Sequence, residues 1–289
     1  MVVIRLLIIA LSPAFAAAEA AADCQADETA ASLPHDTIKI LSLNIAHGRN
    51  TAVNQLLVSE KRTYQNLDNI AALLEGTAPD IVALQEADGP SRWSGNFNHV
   101  AYLSEQTSYP CVVHGLHSSS WISSYGTALL SRVKPSTSSS IRFSQSWPSK
   151  RKGFVIASFN WHVEPLHVPI TFVSVHFDFT RKSVRDQQVR EMVEHLSNMD
   201  GLLVLMGDLN SQWDEEESHV RMLADELNLR AFSPEDERLG TFKETDGKRL
   251  DWILISPELE YRNYRVLPNV VADHFAISAE IAYSGLATN

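Results

Sequence analysis

A chain of 289 residues is long enough for one large two-sheet domain with a substantial core, or for two small domains. Its 35 acidic and 24 basic residues leave a net charge of −11, which argues against tight non-specific binding of nucleic acid but does not exclude a metal-assisted site with a local basic groove. With only two cysteines, a cysteine-built metal cluster is excluded.

In chain order, Met1 to Ala20 carries one early cation, Arg5, then a short apolar stretch and Ala-rich sequence with A-x-A sites at Ala14–Ala16 and Ala18–Ala20. This reads as a secretory signal peptide, too short to anchor the chain in a bilayer. No later segment is apolar for long enough to span one, so an exported protein, periplasmic or secreted, without a transmembrane anchor is expected. Asp23 before Cys24 disfavours lipid attachment, which needs a small residue there. Residues 1–20 are expected to be removed, 21–37 to form an N-terminal tail and 38–285 a single domain, with no linker or repeat dividing it. Cys24 and Cys111 could pair in an oxidising compartment, although spacing alone shows no geometry.

Ile38 to Asn44 alternates as a strand, and Leu67, Ile70, Ala71 and Leu74 mark a helix over Tyr64 to Leu74. Asp80 to Glu86 reads as a buried strand, Arg92 to Asn98 as a loop, and Asn98 to Ser108 as a helix stopped by Pro110. Strands follow at Cys111–Leu116, Tyr125–Ser131, Gly153–His162 and Val168–His176, the last two joined as a hairpin at Glu164-Pro165. The Ser-rich run Pro135 to Ser140 reads as a loop, and Lys150-Arg151-Lys152 as a solvated strand start. Ser183 to Met199 is helical, Leu202 to Met206 a strand, and Trp213 to Leu227 a further helix. Asp214 to Glu217 suits the first turn of that helix better than a metal cluster. Arg249–Ile255, Tyr261–Leu267 and Ala276–Tyr283 complete the strands. Two batches of strands with helices between and around them predict two packed mixed sheets with helices outside.

Polar residues collect beside these apolar strands. Asn44, Glu86, His176 and the pair Asp208 and Asn210 stand at strand ends; Asp251 opens a strand, and Asp273-His274 precedes the last one. Buried without partners they would be costly, whereas around one divalent cation they satisfy one another. Oxygen donors dominate, which suits Mg²⁺ or Mn²⁺, or Ca²⁺, better than zinc. His114-x-x-His117 reads as an ordinary strand pair.

The ordered series Asn44, Glu86, Gly126-Thr127-Ala128-Leu129-Leu130-Ser131-Arg132, His176, Gly207-Asp208-Leu209-Asn210, Asp251 and Asp273-His274 resembles the endonuclease/exonuclease/phosphatase family across about Ile38 to Ile281. Each motif alone is weak; the seven in this order are specific. The resemblance implies a four-layered α-β-β-α sandwich of two mixed β-sheets, with metal-dependent phosphate-ester hydrolysis at one edge between the sheets. It implies Glu86 as main metal ligand, with Asn44 and Asp273 assisting. It also implies His274 on the reacting phosphate or its water, Asp251 fixing the tautomer of His274, Asp208 on the attacking water, Asn210 as donor to the phosphate, and His176 as a phosphate contact. Asp208 and His274 both remain open as the general base. The expected partner is a phosphate-ester substrate met by a monomer. A nucleic acid leads as substrate, in a nuclease-like reaction. Sphingomyelinase-like action on phospholipid and inositol-phosphate phosphatase activity are the alternatives. An inactive member that binds phosphate groups or a partner is disfavoured, because every expected position is filled.

Overall fold

Burial alternates along the strands, and the alternation sorts the chain into layers. The computed structural model describes residues 23–24, 32–33, 36–243 and 247–285. The signal peptide expected over residues 1–20 lies outside them. In chain order the elements are β1 (Asp23–Cys24), β2 (Ser32–Leu33), β3 (Thr37–Asn44), α1 (Glu60–Thr77), β4 (Ile81–Asp88), α2 (His99–Gln106), β5 (Cys111–Ser119), β6 (Ser124–Ser131) and β7 (Thr137–Arg142). They continue with β8 (Gly153–Val163), β9 (Leu166–His176), α3 (Lys182–Leu196), β10 (Leu202–Asp208), α4 (His219–Glu226), β11 (Arg230–Ala231), β12 (Asp251–Ile255), β13 (Leu259–Val266) and β14 (Ile277–Tyr283).

One sheet runs β1-β5-β6-β4-β3-β14-β13 and the other β11-β12-β10-β9-β8-β2, with β7 also paired to β8. Both are mixed: β3 and β4 are parallel, as are β9 and β10, among antiparallel neighbours. In β3, Ile38 and Ile40 join the core between the sheets, while Leu41 and Leu43 pack with Leu67, Ile70 and Leu74 of α1 and Val100 and Leu103 of α2. In β10, Val204 and Met206 face the other sheet, while Leu203 and Leu205 pack with Met192 and Leu196 of α3 and Val220 and Leu223 of α4. The period of two in the strands and the three-to-four spacing in the helices thus give helix, sheet, sheet, helix, the sandwich expected from the sequence. Ser59, Asn98 and Ser218 cap α1, α2 and α4 by accepting hydrogen bonds from first-turn amides.

Two local expectations change. The Ser-rich segment is a strand: β7 pairs with β8 over Thr137–Ser158 to Arg142–Gly153, because an edge strand needs backbone pairing and one buried anchor, Ile141, rather than an apolar sequence. The acidic run Asp214 to Glu217 precedes its helix, which begins at His219 because Ser218 accepts from the Arg221 amide. Arg221 instead gathers this run, donating to the carbonyls of Trp213, Glu215 and Glu216 at 3.2–3.3 Å. The segment before Ile38 contributes two short edge strands. Cys24 sits opposite Cys111 in the β1–β5 register, and the two form a disulfide.

Candidate active site

At the carboxyl ends of the central strands the inter-sheet face turns polar. Extending the alternation of β3, β9 and β10 carries Asn44, His176 and Asp208 onto that face, in line with Ile40, Phe172 and Met206. Asp251 opens β12 on the same face as Ile253. Register then places Asp208 directly beside His176 on β9 and Asp251 on β12. Gly207 permits this approach. It sits at φ 151°, and a Cβ there would collide with the Val175 carbonyl oxygen.

Glu86 reaches the face by another route. Strict alternation would send it with Val82 and Leu84 toward α1 and α2. A register shift between Gln85 and Ala87 breaks the alternation, with Glu86 itself at φ 50°. A left-handed backbone at a non-glycine residue costs on the order of 1–3 kcal/mol, and here it turns a carboxylate into the pocket.

Seven of the eight site residues expected from sequence line one pocket of about 390 Å³: Asn44, Glu86, His176, Asp208, Asn210, Asp273 and His274. Asp251, the eighth, stands behind His274 and accepts from its Nδ1 at 2.7 Å. Asp208 is the hub. Its Oδ2 accepts from Asn44 Nδ2 at 3.0 Å and lies 3.4 Å from His176 Nε2 and 3.9 Å from His274 Nε2, while Oδ1 accepts from the Asn210 amide at 3.0 Å. Asn210 Nδ2 donates to the Phe177 carbonyl at 3.1 Å, which fixes its carboxamide at the rim.

Charge states follow from these contacts. Burial disfavours the His274 cation, but Asp251 and Asp208 outweigh it and push its pKa up to about 10. Burial raises the Asp208 carboxyl, against the pull of His274. Burial also works against the Glu86 anion, yet His47, Lys152, His176 and His274 together hold it well below the usual carboxylate range. His176 is held neutral by burial and by Lys152, whose Nζ lies 3.1 Å from the ring nitrogens. His176 Nε2 faces Asp208 Oδ2 at 3.4 Å, so a proton carried on Nε2 is directed at the hub.

The sequence matches the Endonuclease/Exonuclease/phosphatase family over residues 41–274. The chain belongs to that family. Its members are metal-dependent hydrolases of phosphate esters, and this chain is one of them. No curated protein matches the chain in sequence. Solved structures share the fold at low identity. A family protein from Leptotrichia buccalis C-1013-b superposes with a TM-score of 0.65 at 18% identity, covering 85% of this chain and 100% of that one. The mannosyl-6-phosphatase of Bacteroides thetaiotaomicron VPI-5482 gives 0.63 at 15% identity, with 85% and 100% covered. The human Nocturnin catalytic domain with bound sulfate gives 0.63 at 16%, with 86% and 95% covered.

In this endonuclease/exonuclease/phosphatase member, four further residues belong to the site. His47 Nδ1 donates to Asp88 Oδ1 at 2.6 Å, and its Nε2 lies 3.3 Å from Glu86 Oε2. Burial lowers the His47 pKa, but Glu86 and Asp88 outweigh it and the net shift is upward. Asp88 in turn accepts from Trp93 Nε1 at 2.8 Å and Ser94 Oγ at 2.5 Å, which makes the arrangement rigid. Arg49 Nη2 binds Asp273 Oδ2 at 2.5 Å. Lys152, expected at a solvated strand start, is buried beside His176; the β8–β9 hairpin pairs Gly153 with His176 and so brings its neighbour to the site. His114 and His117 take separate partners, the Ala87 carbonyl and Thr127 Oγ1, and burial depresses both, to about 4 and about 3. They form no metal pair with each other.

The donor set fits a hard divalent cation. Glu86 and Asp273 bring carboxylate oxygens to the pocket, and Asn44 lines it with a carboxamide whose Oδ1 accepts from the Ala46 amide at 3.0 Å. Asp273 Oδ1 is buried with no hydrogen-bond partner, a state that a bound cation would relieve. Asp208, Asp251 and His274 also lie within 4.8 Å of one another. The hydrogen bond between Asp251 and His274 Nδ1 makes that trio a proton-holding unit rather than a cage.

Proposed function

We propose that this protein is an exported phosphoesterase that requires Mg²⁺ or Mn²⁺ and hydrolyses a phosphate ester by attack of water on phosphorus. The observation that carries the reading is the convergence of Glu86, Asn44, Asp208, His176 and the Asp251–His274 pair on a single strand-end pocket. Glu86, with Asn44 and Asp273, would hold the cation, which when bound neutralises charge developing on the phosphate. Asp208, raised by burial and facing the pocket, orients the attacking water and takes its proton. His274 is held as a cation by Asp251, and its Nε2 points toward Asp208 and the pocket, so it donates to the phosphate or the leaving oxygen. Lys152 and neutral His176 supply a further charge and a donor at the same wall. Asn210, anchored by Phe177, fixes the rim.

Export rests on the pattern of Met1 to Ala20, and the Cys24–Cys111 disulfide agrees with an oxidising compartment. A nucleic acid leads as substrate on sequence grounds. One observation lends weight to a lipid ester instead: exposed apolar side chains flank the pocket mouth. A panel of DNA, RNA, sphingomyelin and inositol phosphates at one Mg²⁺ concentration separates these cases. Turnover of at least one substrate, lost with EDTA, is expected; turnover that persists in EDTA would overturn the metal-dependent reading.

A further inference from the structure

Nine large apolar side chains are exposed among the described residues, and five of them belong to two segments that reach the reaction pocket through Val53 and Phe179 and form its lips: Val53 with Leu56 and Leu57 just after it in the chain, and Phe179 with Trp147 on the loop that Arg181 ties to it. Val53, 90% exposed, and Phe179, 70% exposed, line the pocket mouth itself. On the first lip, Asn54 accepts from the Leu56 amide and closes a short turn that leaves Leu57 82% exposed. On the second, Arg181 ties two loops together, donating to the Ser146 carbonyl at 2.5 Å and the Trp147 carbonyl at 3.3 Å. That bracing holds Trp147 out in solvent at 83% exposure.

A second hollow of about 500 Å³ opens between these loops and shares Phe179 and Lys152 with the reaction site. Lys150 stands on its wall, and Arg142 and Arg151 line the next depression, which also holds Trp147. This lip is therefore cationic and aromatic on a chain whose net charge is −11.

We propose that the two lips dock the enzyme on a membrane surface containing anionic phospholipid, so that the phosphate esters reaching the pocket are those of amphiphiles. The inference rests on the phosphoesterase reading of the pocket. Protruding aliphatic side chains lose unfavourable contact with water when they enter the acyl boundary, and Trp with Lys or Arg suits the headgroup level. Local positive charge on an acidic protein selects an anionic surface over a neutral one. A single nucleic-acid strand fits less well. It needs stacking faces and cations along its path. Val53, Leu56 and Leu57 offer no aromatic face for a base to stack on.

Co-sedimentation of the full-length protein with vesicles tests this. Vesicles of phosphatidylcholine mixed with phosphatidylglycerol are compared with pure phosphatidylcholine, in EDTA so that binding is read without turnover. Wild type is expected to bind the mixed vesicles more tightly. The double variant Leu57→Ser with Trp147→Ser is expected to bind them about tenfold less or weaker still, through lost apolar burial. Its hydrolysis of soluble bis-p-nitrophenyl phosphate should be unchanged, which also shows that it folds. Lys150→Glu should reduce the preference for anionic vesicles. Absence of wild-type binding, equal binding by the double variant, or preferential binding of a single-stranded oligonucleotide would each overturn the proposal. Failure of the phosphoesterase reading registers separately, as absence of hydrolysis of the soluble ester.

Discussion

Asp251→Asn isolates one charge in the site. The substitution keeps shape and an acceptor oxygen beside His274 Nδ1, 2.7 Å away, but removes the anion. His274 stands at about 10, above its ordinary value of 6.5, and Asp251 is the first of the partners that overcome burial. A hydrogen bond between charged groups contributes about 1.5–3 kcal/mol, equivalent to one to two pH units on the histidine and to about a ten- to 150-fold change in rate. The variant should therefore titrate His274 at about 8–9 and turn over about ten- to 150-fold more slowly at neutral pH. The sign for stability is fixed by linkage. Because the folded value lies above the unfolded one, the proton's contribution is complete below about pH 6.5 and is lost as pH rises through about 10. In the variant that loss should come at lower pH. Histidine NMR titration of the metal-free protein reads the ionisation, and initial rates on bis-p-nitrophenyl phosphate read the chemistry. A His274 titration unmoved from about 10, with turnover within about twofold of wild type, would refute a charge-based role for Asp251.

Lys152→Met keeps the apolar stem and removes the ammonium held 3.1 Å from His176. Turnover should drop about tenfold or more, and the His176 pKa should rise toward its ordinary value; unchanged rates and titration would show that the buried cation is only structural. Reducing the Cys24–Cys111 disulfide, which spans 87 residues, should cost about 4–5 kcal/mol and lower the unfolding midpoint by about 10 °C or more, measured by thermal scans with and without dithiothreitol. An identical midpoint would mean that the bridge does not restrain the fold. Gly207→Ala should destabilise by about 2 kcal/mol or more in denaturant melts, because the added methyl meets the Val175 carbonyl oxygen; a neutral effect would contradict the close approach of β9 and β10.

The layers were legible because alternation and helical spacing are local signals. Val204 and Met206 against Leu203 and Leu205 record in sequence which side faces which neighbour. The strand-end carboxylates and amides were legible for the same reason, as polar residues abutting apolar runs. Glu86 shows the limit. It was found by its place in an ordered series, while alternation alone points it at the helices; only the shift in register turns it inward. Lys152 was readable in principle. Counting outward from the Glu164-Pro165 turn pairs Gly153 with His176, which sets Lys152 beside the site and not in solvent. His47 had no such signal. Its position depends on φ 53° in a short turn after β3 and on Asp88, brought close by the parallel pairing of β3 with β4. The exposure of Trp121 and Trp147 was equally hidden, since an aromatic residue in a loop is as often buried as not.

Hydrolysis of bis-p-nitrophenyl phosphate by wild type and Glu86→Gln, followed with Mn²⁺, after EDTA, and after Mn²⁺ is restored, most directly tests whether the strand-end pocket is a metal-dependent phosphoesterase centre. Wild-type turnover should vanish with EDTA and return with Mn²⁺, while Glu86→Gln should lose about a hundredfold or more in rate and stay folded. Turnover that ignores EDTA, or a Glu86→Gln enzyme as fast as wild type, would contradict it.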